Sequence, residues 1–202
     1  MKRFAFTMLE LVFVIIVIGI LAVLAMPSFN SNPLQRAAEQ VASHIRYTQH
    51  LAMVNDVFDE GKQTWHRARP QISFRQCNDG SSYYYIGSDS NWNTGHIAES
   101  EAAINPLNGK TMYWQNAQCQ EDAHPTRDPA LLLTDQFGVR VNSNCGATIS
   151  FDNEGRPYAA FGATPNIGQL ANDCNITLTH ATEGNATIRI RPETGYVSVN
   201  YN

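Results

Sequence analysis

From Leu11 to Met26 the chain carries no charged or strongly polar side chain. A helix of that composition has no face to offer water, which excludes an ordinary solvated surface helix. Counted from Phe6, the apolar segment has 21 residues, about 31 Å of helix and close to one bilayer core. The sequence therefore predicts a membrane-spanning segment over residues 6–26, with Lys2 and Arg3 holding the N-terminus on the cytoplasmic side. A cleaved secretory signal fits less well, because its apolar core is shorter and its start carries no acid.

That acid is Glu10. A carboxylate on an otherwise apolar helix costs roughly 3 kcal/mol at depth on insertion scales, so it needs a partner. If Phe6 became the N-terminal residue, its α-amino group would be that partner, supplied by a neighbouring chain in an apolar bundle.

Lys2-Arg3-Phe4-Ala5, then Phe6-Thr7-Met8-Leu9-Glu10-Leu11 and the apolar run, resembles the leader of type IV prepilins and type II secretion pseudopilins. The resemblance implies cleavage by prepilin peptidase between Ala5 and Phe6, N-methylation of Phe6, and Glu10 as the assembly residue. The chain has Ala5 where the family usually has Gly. Gly19 and Pro27 match helix-weakening positions of the family, and each weakens a helix for its own reason: one lacks a side chain, the other a backbone donor.

Beyond Pro27, Asn32 suits a helix N-cap and Pro33 a first helical position. Leu34, Ala38, Val41, Ile45, Thr48 and Ala52 then recur every three or four residues among Arg36, Glu39, Gln40, Ser43 and Arg46. That spacing predicts an amphipathic helix facing a sheet. Past Val57 the period changes to two. Strands are expected at Gln71–Arg75, Tyr83–Gly87, Val139–Val141, Thr148–Phe151, Tyr158–Phe161, Ile176–Thr179, Ala186–Ile190 and Tyr196–Val199. Residues 152–157, 182–185 and 192–195 read as hairpin turns, and residues 88–130 as a long polar connection.

The closing segment, Ile149-Ser150-Phe151-Asp152 through Glu193-Thr194-Gly195-Tyr196-Val197, is similar to the GspH/FimT group of minor pseudopilins. Together the two resemblances imply a pilin-like α+β fold. It would have one long N-terminal helix, half transmembrane and half amphipathic, packed on an antiparallel β-sheet domain. The organisation is then a leader over 1–5, a transmembrane and filament-core helix over 6–26, an amphipathic helix over 27–56, and a β-domain over 57–202. The implied location is the bacterial inner membrane as a single-pass protein with a periplasmic C-terminal domain, moving to a pseudopilus or pilus filament after processing. The implied partners are prepilin peptidase, sibling pseudopilins and the assembly platform.

The net charge of −4 lacks the field behind non-specific nucleic-acid binding. FimT-like members of DNA-uptake pili carry a C-terminal arginine motif, which here would map to Arg189 and Arg191, without the preceding Gly; a DNA-uptake subunit would use these together with Arg156. The four cysteines are too dispersed for a C-x2-C metal pair and in an exported domain read as two disulfides with three connectivities. Cys145 and Cys174 each precede a strand run and could meet at one end of a sheet, leaving Cys77 with Cys119. His44, His50, His66, His96, His124 and His180 form no H-E-x-x-H or i, i+4 pair, and no phosphate-binding or nucleophile motif is present. Tyr83, Tyr84, Tyr85, Trp92 and Trp114 suit a half-core, half-edge position better than a ligand platform. No cofactor and no catalysis are expected.

Overall fold

Asn32 opens the helix on which the rest of the domain is assembled: its side-chain oxygen accepts the Gln35 amide at 2.9 Å, and Pro33 follows at the first helical position. The computed structural model describes residues 7–25, 32–91, 97–115, 119, 124–159 and 167–201. The chain divides into two units, residues 1–31 and 32–202. Helix α1, Met8–Ala25, belongs to the first. Among the described residues the second holds helix α2, Pro33–Val54, a short helix α3, Leu133–Phe137, and eight strands.

The stripe of α2 reads as the sequence predicts. Leu34, Ala38, Val41, Ile45, Thr48 and Ala52 are all buried, joined by Ala37, Ala42 and His44. Small residues dominate, so the helix axis approaches closely, and burying side chains of the size of Val41 and Ile45 stabilises by about 1.5–3 kcal/mol each.

The strands are β1 Gln71–Gln76, β2 Ser82–Gly87, β3 Val139–Ser143, β4 Thr148–Phe151, β5 Pro157–Tyr158, β6 Cys174–His180, β7 Gly184–Ile190 and β8 Val197–Tyr201. They form two antiparallel sheets, ordered β2-β1-β4-β5 and β3-β6-β7-β8. Helix α2 packs against β1 and β4 of the first sheet and against β6, β7 and β8 of the second. In the second sheet Ile176 pairs with Ile188, and Ile188 with Val199, so alternate residues line one apolar face. Between β3 of that sheet and β2 of the other, Ser82 is the link. Its hydroxyl accepts the Val141 amide at 3.2 Å, and its own amide donates to Thr134 at 2.8 Å.

The fold expectation needs correction in three respects. The N-terminal half is not one long helix: α2 starts afresh at the Asn32 cap, and residues 26–31, with Pro27, lie outside the described residues. The β-domain is two four-stranded sheets, not one. No helix among the described residues is long and apolar enough to cross a membrane, which overturns the single-pass inner-membrane placement. The physical reason is length: α1 has 18 residues, about 27 Å of helix against a hydrocarbon core of about 30 Å, and Glu10 stands in its first turn.

The polar connection is more ordered than its composition suggests. Ile86 donates to Met112 and accepts from Ala103, so residues of the insertion continue the ladder along the edge of β2. Met112, Tyr113 and Trp114 are buried beneath it, and the Trp114 indole donates to the Asp128 carbonyl at 2.7 Å. Arg127, itself buried, meets Glu99 in a two-pronged ion pair whose shorter contact is 2.6 Å.

Candidate functional site

Helix α1 is apolar on every face, and every one of its side chains from Met8 to Ile20 is exposed. Phe13 is 68% exposed and Ile15 61%, although the two lie on nearly opposite faces. A helix of a folded domain hides one stripe; over Met8–Ile20 this one hides none, so that surface is complementary to other apolar surfaces.

Glu10 sits where that helix begins. The Thr7 carbonyl accepts the Glu10 and Leu11 amides at 3.1 and 3.2 Å, and the Thr7 hydroxyl is 3.3 Å from the Glu10 amide. Thr7-Met8-Leu9-Glu10 thus has the Thr-x-x-Glu spacing of a capping box, and a carboxylate in the first turn is favoured by the helix dipole. This local role was legible in the sequence and is independent of any partner. Ala5 and Phe6, the expected cleavage and methylation positions, lie outside the described residues.

The three arginines divide between two places. Arg156 closes a turn on its own neighbours, with Nε 2.7 Å from Asp152 and a guanidinium nitrogen 3.1 Å from Glu154. Asp152 also accepts the Arg156 and Glu154 amides and the Tyr158 hydroxyl. Burial works to raise its pKa, but these donors, the guanidinium first, hold it below the ordinary carboxylate range. Arg189 and Arg191 share one acid, Asp173, at 3.7 and 3.2 Å. A guanidinium already facing a carboxylate is a poor phosphate ligand, because binding must first break that pair.

The remaining candidates resolve into the core. Tyr83, Tyr84, Tyr85 and Trp114 are buried, so they offer no aromatic platform, while Trp92 and His96 lie outside the described residues. Buried His44 keeps Nδ1 at 2.7 Å from the Tyr84 hydroxyl, which also receives a hydrogen bond from Gln40 at 3.0 Å. His66 is buried too; His180 faces the turn after β6, where its Nδ1 accepts the Glu183 amide. Among the described residues no group of three or more His, Cys, Asp or Glu side chains is placed to hold a metal.

Both disulfides are present, Cys77–Cys119 and Cys145–Cys174, with Cα atoms 6.1 and 5.3 Å apart. Cys174 is the first residue of β6, and Cys145 follows β3 just beyond the Ser143–Ile176 register, so the second bridge locks the end of that strand pair. In comparisons with family models, curated proteins and solved structures, the chain matches none.

Proposed function

We propose that the chain is a non-enzymatic structural subunit of the minor pseudopilin kind, cut between Ala5 and Phe6 by prepilin peptidase and assembled with sibling chains for protein secretion. The observation that carries the reading is the exposure of α1 on all its faces. A docking groove on one partner covers one stripe of a helix; a helix apolar all round is covered only by several neighbours, as in the core of a helical filament. The leader resemblance supplies the second support. Glu10, at the start of α1, then serves as the charge that sets the axial register of neighbouring helices by meeting the methylated amino group of Phe6.

The two-sheet unit is the head that such a subunit displays. Within that unit α2 supplies the apolar stripe that both sheets cover. The DNA-uptake alternative gains nothing from the arginines, each of which faces an acid.

The test combines intact mass and co-purification. The processed chain should lose five residues and gain one methyl, and Glu10→Gln should keep the fold while losing recovery with sibling pilins. Full-length protein only, in a peptidase-positive host, together with normal co-purification of Glu10→Gln, would remove the reading.

A further inference from the structure

The segment that leaves α2 borders a partly enclosed cavity of about 120 Å³. Phe58 and Trp65 flank it, with ring centroids 5.2 Å apart and planes at 74°. Its floor is apolar, from Ala52, Pro70 and Phe151. Its wall is closed by Arg69, whose guanidinium lies 4.0 Å from the Tyr158 ring centroid and 5.3 Å from that of Trp65. A volume of this size is below that of ordinary small-molecule pockets, which run to roughly 300 Å³ and more, and suits a single side chain.

The surroundings say what kind of chain would supply it. Phe58 is 61% exposed, and Met53 and Val54 beside it are about as exposed, making an apolar mouth. On the other side of the same strap lies an open depression of about 490 Å³, lined by Asp56, Asp59 and Glu60. Lys62 offsets Asp59 at 4.0 Å, while among the described residues neither Asp56 nor Glu60 is in an ion pair. Arg69 shares the cavity lining with Asp56 and Asp152, so the cavity itself favours neither sign of charge, and its apolar floor suits an uncharged side chain. The rim is acidic, so basic groups just outside would be attracted.

We propose that this strap is a docking site for an extended segment of a partner protein, with one large apolar side chain entering the cavity beside the packed Phe58–Trp65 pair and lysine or arginine residues beside it over Asp56 and Glu60. The surface belongs to the head and is independent of the assembly reading of α1. An acidic rim beside an apolar slot discriminates by charge: an acidic segment carrying the same anchor is turned away.

The test uses the full chain in neutral detergent micelles and follows the Trp65 indole N–H signal, assigned by its loss in Trp65→Phe. Three peptides are titrated: acetyl-Gly-Lys-Phe-Lys-Gly-amide, the same with Ala for Phe, and the same with Glu for both Lys. The first should shift the signal saturably, and the other two should bind at least about tenfold more weakly, the scale set by burying one aromatic side chain. Phe58→Ala and Asp56→Asn, both at the exposed strap, should each weaken the first peptide severalfold with the spectrum of the core unchanged. No saturable shift at millimolar peptide, equal binding of the three peptides, or parental binding by both variants overturns the proposal.

Discussion

The Tyr84 hydroxyl lies 2.7 Å from Nδ1 of His44, joining the middle of α2 to the middle of β2 inside the core. Gln40 donates to the same hydroxyl at 3.0 Å, which leaves the tyrosine proton available to the histidine ring. In the tautomer where His44 Nδ1 accepts that proton the ring is neutral, since a protonated ring has no acceptor nitrogen. Burial lowers the pKa of His44, with Asp128 opposing weakly, and burial raises that of Tyr84.

The pH dependence of stability follows. A histidine whose folded pKa lies below its unfolded value of about 6.5 contributes full stability above that pH and loses it as pH falls through the folded value. Asp152, also depressed, contributes above its unfolded pKa near 3.9 and is lost at lower pH still. Chemical denaturation from pH 8 to pH 3 should thus show a first decline beginning near pH 6.5. His44→Gln should flatten that first decline and leave the second. A parent profile flat between pH 7 and pH 5 would contradict the assignment.

Gln49 ties two turns to α2, donating to the carbonyls of Gly155 at 2.9 Å and Thr194 at 3.2 Å. Gly195, at φ +63°, sits against the Gly155 carbonyl, where a Cβ would collide with backbone. Gln49→Ala should cost about 1–2 kcal/mol for two modest hydrogen bonds. Gly195→Ala should cost about 2–3 kcal/mol, from a left-handed conformation plus the collision. Urea unfolding with unchanged slope measures both, and a smaller loss for Gly195→Ala than for Gln49→Ala would contradict the packing of the turns.

Cys145–Cys174 closes a separation of 29 residues and Cys77–Cys119 one of 42. In the chain-entropy model these contribute about 3.6 and about 4 kcal/mol. The Cys145→Ser, Cys174→Ser pair should lower stability by that order and speed amide exchange at Ser143 and Ile176, where β3 and β6 pair. Non-reducing peptide maps should join Cys77 only to Cys119. Any Cys77–Cys145 peptide in native protein would contradict the strand register.

The parts legible in the sequence were those governed by local period and turn chemistry. Leu34, Val41 and Ile45 mark α2 by spacing, Ile176 and Leu178 mark β6 by alternation, and Gly155 and Gly195 mark turns whose φ only glycine adopts freely. The division into two sheets was not legible, because Ile72 pairs with Ile149 across a long stretch of chain and no local pattern encodes that choice. Met112 was hidden by the polar residues around it, although it seals the edge of β2, while Trp114, expected half in the core, is buried outright. At the N-terminus the apolar composition was read correctly and its length was not: the helix begins at Met8, capped by Thr7, and the same Thr7–Glu10 spacing explains Glu10 locally.

If the chain assembles as proposed, α1 is enclosed on all sides by helices of sibling chains. Phe13, Val14, Ile15 and Ile16 are all exposed, and at about 100° per residue they sample four faces of the helix. A photo-crosslinking side chain placed singly at each position, in the assembled complex, is the direct measurement. The account predicts inter-chain products at all four positions, each mapped by mass spectrometry to residues 8–25 of a neighbouring subunit. Crosslinks at one or two adjacent positions only, or products that never include the apolar helix of another subunit, would contradict it.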